Sequence, residues 1–190
     1  MHLVSLFFTA VIFNNIVLSK MLGLCPAMGV SNSQESSIGM GYAAMFVTVV
    51  AGLVSYGIYH LVLVPLSITF MDLLIFILVI ASLVQLVEMI MKKSFPALYK
   101  SLGIYLPLIT TNCMVLFVAL ENINQRFDFL ETVVYSFGVP IGFALLLAIF
   151  AAIRERLAIA DVPEAFKGIP IAMITLGIMA IAFSGLAGII

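Results

Sequence analysis

Residues 14–26 read Asn14-Asn15-Ile16-Val17-Leu18-Ser19-Lys20-Met21-Leu22-Gly23-Leu24-Cys25-Pro26. Two amides, a lysine, a glycine and a proline interrupt a stretch otherwise apolar enough for a bilayer. The run from Met1 to Val30 is also too long for one crossing, since about 20 residues span the hydrocarbon. Gly23, Pro26 and Gly29 therefore predict a broken or re-entrant element with Cys25 at the break. Such backbone is tolerated at membrane depth only where protein buries it or it lines a cavity.

The remainder of the chain supplies the membrane context. Of 190 residues, 64% are hydrophobic and 9% charged, against roughly 25% charged in soluble domains. The net charge is −1, and the few basic residues are scattered between apolar runs, which excludes a nucleic-acid partner. Apolar segments at roughly 3–21, 40–62, 71–91, 102–120, 132–153 and 170–190 predict an all-α integral membrane protein of six transmembrane helices, a single membrane domain over 1–190. Ser31-Asn32-Ser33-Gln34-Glu35-Ser36-Ser37 reads as a soluble loop. Pro65, Lys92 to Pro96, Asn122 to Arg126, and Arg154 to Gly168 mark the other breaks. No ten-residue alternation suggests a β-barrel, and without a basic n-region or small-residue cleavage site the first segment is expected to be retained.

Charge sets the orientation. Lys20, Lys92, Lys93, Lys100, Arg154, Arg156 and Lys167 fall in the first, third and fifth loops; only Arg126 lies opposite. Positive loops stay in the cytoplasm, so both termini are expected outside.

The chain also carries a faint internal echo. Asn14-Asn15-Ile16-Val17-Leu18 aligns with Asn112-Cys113-Met114-Val115-Leu116 as N-x-x-V-L. Three crossings separate the copies, so they run in opposite directions. This predicts inverted three-helix repeats, approximately 1–95 and 96–190, with broken or half helices at the repeat axis. Pro107 divides the fourth segment as Gly23 divides the first. Asn14 and Asn112 fall about eleven residues into their segments, near the midplane at about 1.5 Å per residue. Amides there either bond helix to helix or line a polar site.

Cys25 and Cys113 have three readings: packing as small hydrophobes, a disulfide, or ligation of a soft metal centre. Their placement near or inward of the reducing cytoplasmic side argues against the disulfide. Two thiolates leave a four-cysteine iron–sulfur or zinc shell half filled. His2 and His60 fall toward the outer face, so a metal reading requires a second subunit.

The strings NNIVLSKMLGLCP (14–26), GIYLPLITTNC (103–113) and AAIRERLAIADVPEAFKG (151–168) together resemble the NqrDE/RnfAE family, on its RnfA side. The likeness covers essentially the whole chain. Leu-Gly-Leu-Cys-Pro and the Ala-Asp-Val-Pro loop favour that side over NqrE. It implies a component of a bacterial inner-membrane Rnf complex, coupling electron transfer between ferredoxin and NAD⁺ to Na⁺ or H⁺ translocation. It further implies an RnfE-like homologous partner of opposite topology, alongside the other Rnf subunits (B, C, D and G). The pair would share one [2Fe–2S] cluster, to which Cys25 and Cys113 contribute here. Apart from the resemblance, the amides of Asn14, Asn15 and Asn112 are candidate donors to the sulfurs, with helix–helix bonding as the alternative. The chain departs from the pattern at Asn32 and Ser33, where a basic pair is usual, and at Phe117, where glycine is usual.

Glu88 pairs at helical spacing with Lys92, Asp72 suits a helix N-terminus, and Glu121 and Glu131 flank an outer loop. Arg154, Glu155 and Arg156 read as helix-end anchors. Gly138-Val139-Pro140-Ile141-Gly142 reads as a close-packing face for a subunit contact. No nucleotide, flavin or quinone fingerprint is present, so the chain is not a complete enzyme. An NqrE-like subunit of an NADH:quinone oxidoreductase, a small inverted-repeat transporter and a purely structural subunit are the competing readings.

Overall fold

The computed structural model describes residues 2–13, 15–31, 33–64, 71–94, 108–109 and 112–187, and every regular element among them is helical. Helix α1 (His2–Phe8) runs on through a π turn at Thr9–Phe13. Asn15 then stops it. Its backbone is extended (φ −62, ψ 110) and its side-chain oxygen accepts the Val17 N–H, capping α2 (Ile16–Lys20). That helix ends within five residues because Met21 turns left-handed at φ 55, and Gly23 follows at φ 82. Glycine takes such a φ without steric penalty. Helix α3 (Leu24–Val30) starts immediately after.

The broken first segment is therefore present, but the breaks lie at Asn15 and Met21–Gly23. Pro26 sits in the first turn of α3, where its missing N–H has no intrahelical partner to lose, and Gly29 is also helical. Asn14 and Pro107 lie outside the described residues.

The longer helices are α4 (Gln34–Ile58, extended by a π turn at Tyr59–Leu63), α5 (Asp72–Ser94), α6 (Cys113–Asn124), α7 (Phe129–Ile159) and α8 (Ile169–Ala187), with a 3₁₀ turn at Glu164–Phe166 before the last. The expected segments 40–62, 71–91, 132–153 and 170–190 each hold one of these. Three boundaries differ for a shared reason: polar residues read as loop are caps or helix ends. Ser33 caps α4 by accepting the Ser36 N–H, and Ser37, fully buried, donates to the Val30 and Ser33 carbonyls. The supposed loop thus contains the first turn of α4. Asn122 and Asn124 belong to α6, and Arg154 to Arg156 prolong α7.

Helix α7 packs along α4, and both contact α6. Glycine permits the approach. A Cβ on Gly41 would lie 2.7 Å from that of Ala144, and Gly52 faces Ser136. As α4 ascends, α7 descends, so the two are antiparallel. Met40, Ala44, Met114, Val118, Phe143 and Leu146 fill the core between the three. On α7, Gly138 faces Phe7 and Ala10, and a Cβ on Gly142 would meet the Val11 carbonyl oxygen at 2.6 Å. This corrects the reading of 138–142 as a subunit contact: both glycines are buried, and the face receives the chain's own N-terminal helix.

The outside is apolar. Leu74, Leu78 and Met89 on α5 and Ile178 and Ile181 on α8 are each at least 60% exposed, which suits lipid or a partner and not water. Helices α4 and α7 are long and apolar enough to cross a membrane, and α5, α6 and α8 hold shorter apolar stretches.

One end of the bundle joins the α3–α4 junction to the last turns of α7: Arg154 Nη1 donates to the Met28 carbonyl (3.1 Å) and to Ser31 Oγ (2.6 Å), and the Gln34 N–H donates to Glu155 (3.2 Å). At the other, the α6–α7 turn meets the end of α4, with the Tyr56 and Phe129 rings 6.0 Å apart.

Candidate metal centre

Cys113 is the first residue of α6, preceded by the cap Asn112, whose Oδ1 accepts the Met114 N–H at 3.1 Å. From Cys113 the twelve residues of α6 lead to the α6–α7 turn, about 18 Å of helix. It therefore lies inside the apolar bundle. Its sulfur accepts the backbone N–H of Gly23 at 2.9 Å. Two residues beyond Gly23, in the first turn of α3, stands Cys25. Both cysteines are free thiols; Cys113 is half-buried and Cys25 is exposed.

The local chemistry follows from those breaks. First-turn N–H groups have no intrahelical acceptor and are free to donate to sulfur. Asn112 leaves a further donor: its Nδ2 is buried and meets no hydrogen-bond partner among the described residues. Two thiols, a backbone N–H already on sulfur and an unpartnered amide suit a soft, sulfur-ligated centre, not a hard cation needing oxygen. No group of three or more His, Cys, Asp or Glu converges among the described residues. A four-thiolate shell would draw its other ligands from a second chain, and the exposed Cys25 is open to one.

Asn15 sits differently from expectation. Its Nδ2 donates to the Gly142 carbonyl at 2.9 Å and its Oδ1 is the α2 cap, so its amide bonds helix to helix. Its backbone and cap nevertheless match those of Asn112 (φ −71, ψ 112). The structural equivalence is Asn15 with Asn112, one residue out of the N-x-x-V-L register. Sequence reasoning missed the Gly23 N–H altogether; the only signal for it was a glycine two residues before a cysteine.

The acidic residues are mostly engaged in local structure. Glu121 accepts from Gln125 (2.9 Å), and Glu131 closes a capping box on the Asp128 N–H (3.2 Å). Glu88 is half-buried on α5, and the Asp72 side chain lies outside the described residues. Arg154 anchors two segments rather than one helix end. Phe117 packs partly buried against the core.

Apolar outer faces and two antiparallel helices long and apolar enough to cross a bilayer mark the class as helical membrane protein. Over residues 3–190 the chain matches the family described as "Rnf-Nqr subunit, membrane protein", and it belongs to that family. It is 55% identical over 185 residues to the A subunit of the ion-translocating oxidoreductase complex of Pasteurella multocida, covering 97% of this chain and 96% of that one. The protein of the same name from Aeromonas salmonicida is 53% identical over 182 residues (96% and 94%). The A subunit of the Na(+)-translocating ferredoxin:NAD(+) oxidoreductase complex of Acetobacterium woodii is 50% identical over 188 residues (99% and 98%).

Proposed function

We propose that this chain is the RnfA-type component of an ion-translocating ferredoxin:NAD⁺ oxidoreductase in a bacterial cytoplasmic membrane, where Cys25 and Cys113 hold half the ligand shell of an intramembrane [2Fe–2S] cluster. The observation that carries the reading is the 2.9 Å hydrogen bond from Gly23 to Cys113. It joins two helix N-termini that the sequence separates by a membrane pass or more, and each bears a cysteine. Near-full-length identity to the corresponding components of such complexes supports the assignment.

The remaining ligands come from a homologous RnfE-like subunit of opposite topology, facing the exposed Cys25. Bound there, the cluster supplies one-electron transfer at a potential set by charge, hydrogen bonds to sulfur and solvent access. This chain holds two thiolates, donates the Gly23 N–H to one of them and offers the Asn112 amide, while the partner subunit covers the exposed Cys25. Asn15 acts at one remove, fixing α2, and hence the Gly23 turn, to α7.

The matched caps at Asn15 and Asn112 support two inverted three-helix repeats. Arg154 at the α3–α4 end supports placing that end in the cytoplasm and both termini outside. Iron and acid-labile sulfide analysis of the anaerobically purified complex tests the reading. Loss of one cluster's share, two irons and two sulfides per complex, is expected on Cys113→Ala with all subunits still assembled; unchanged iron and sulfide in that variant would remove Cys113 from the shell.

A further inference from the structure

A second polar cluster lies away from the cysteines, where α4, α6 and α7 meet. Ser55 Oγ, Asn122 Oδ1 and Thr132 Oγ1 belong to residues at most 2% exposed, and none meets a hydrogen-bond partner among the described residues. This is not how the chain treats other hydroxyls in its apolar helices. Thr48, Ser82 and Thr175 each donate to the carbonyl four residues back, at 2.6 to 2.7 Å. Ser55 and Thr132 do not.

The geometry gathers them. Gly52 faces Ser136, and a Cβ on Gly52 would lie 3.5 Å from Asn122 Nδ2, which donates to Ser136 Oγ at 3.2 Å. Ser55 is one turn beyond Gly52, and Thr132 one turn before Ser136. Because α4 and α7 are antiparallel, both steps lead toward the α6–α7 turn, placing the two hydroxyls on the same side of the Gly52–Ser136 contact. Asn122 already commits its amide nitrogen to Ser136, and its Oδ1 is the amide atom left without a partner among the described residues. Burying such a set unpartnered is unfavourable. Neutral oxygens with no carboxylate among them suit a hard ion of low charge.

Two cavities open at the same end. A cavity of about 420 Å³, lined by Tyr56, His60, Arg126 and Asp128, reaches Asn122. A second, of about 280 Å³, brings Glu121 and Gln125 to Tyr135, whose buried hydroxyl is likewise unpartnered.

We infer that Ser55, Asn122 and Thr132 form an oxygen-lined site for one dehydrated monovalent cation of sodium size, entered from the end bearing the α6–α7 turn. Its biological sense rests on the ion-translocating function proposed above; its geometry does not.

The test is equilibrium binding of radiolabelled sodium to the intact, purified complex, with choline chloride holding ionic strength. Thr132→Val combined with Ser55→Ala is expected to abolish one bound sodium per complex or weaken it by about tenfold or more, the loss expected when polar partners are removed from a buried site. Thr132→Ser, which keeps the hydroxyl, should bind within about twofold of wild type. If the double variant does not assemble, Thr132→Val alone, nearly the same volume, gives the same reading. Sodium binding unchanged in an assembled variant, or absent from wild type, overturns the proposal and leaves the site to water. The iron lost on Cys113→Ala separates the two accounts: sodium bound with no Cys113-dependent iron defeats the redox reading alone, and Cys113-dependent iron without sodium defeats this one alone.

Discussion

The backbone N–H of Gly23 donates to the sulfur of Cys113 at 2.9 Å across 90 residues of sequence. The contact exists because two helices begin in the interior of the bundle instead of crossing it. Asn112 starts α6 by capping it, and the left-handed pair Met21 and Gly23 turns the chain so that α3 starts opposite.

Gly23→Ala should impair the centre without removing a ligand. Gly23 sits at φ 82, and an added Cβ would lie 3.1 Å from the Phe143 ring. The left-handed conformation alone costs a non-glycine residue about 1–2 kcal/mol. A lower thermal midpoint together with reduced iron per assembled complex is expected. Full iron at unchanged stability would show that this turn is not what positions the sulfur.

Asn15 should divide into two separable parts. Asn15→Ala removes both the α2 cap and the bond to Gly142, and about 1–2 kcal/mol of stability should go with them. Asn15→Ser retains a capping oxygen but is too short to hold the Gly142 carbonyl, so its loss should be smaller. Unfolding of the two variants in detergent measures the difference; equal losses would mean that the cap contributes nothing.

Two glycines should respond in opposite directions. Gly142→Ala drives a Cβ into the Val11 carbonyl, a backbone atom that cannot swing aside, and overpacking of this kind costs about 1–3 kcal/mol. Gly57→Ala, in the last turn of α4, meets nothing within 4 Å and should be neutral or stabilising by up to about 1 kcal/mol. The same unfolding assay reads both.

Arg154 should matter to a helix far from it in sequence. Its bonds to Met28 and Ser31 fasten the end of α3, and a hydrogen bond from a charged group contributes about 1.5–3 kcal/mol. In Arg154→Ala, amide exchange over Leu24–Val30 should quicken while exchange in α6 stays slow. Equal acceleration in both would indicate general loosening instead.

How much of this was legible in the sequence depends on what each residue's letter records. Apolar runs long enough for a bilayer are written directly, and α4, α5, α7 and α8 fall where those runs predict. The break in the first segment was legible too, from Gly23 beside Cys25. Its position was not, because Asn15 stops the helix through a side-chain cap that any asparagine could make or decline. Ser33 and Ser37 misled in the same way: their polarity serves a helix start. Arg154 to Arg156 read as the end of α7, yet Arg154 satisfies its charge against the Met28 carbonyl and Ser31, so the helix carries on. The Gly23 donor is a backbone group, common to every residue but proline, and only the fold gives it an acceptor. The unpartnered oxygens of Ser55 and Thr132 were equally hidden, since sequence does not tell which hydroxyls bond back to their own helix.

Central to the proposed function is Cys113, beside Gly23 and Asn112, as a ligand of an intramembrane cluster shared with a second subunit. Low-temperature EPR on the dithionite-reduced, anaerobically purified complex, wild type beside Cys113→Ala, tests this most directly. A [2Fe–2S] signal is expected in wild type and should be missing from the assembled variant, with signals from other centres retained. An identical spectrum in both, from complexes of identical subunit content, would contradict it.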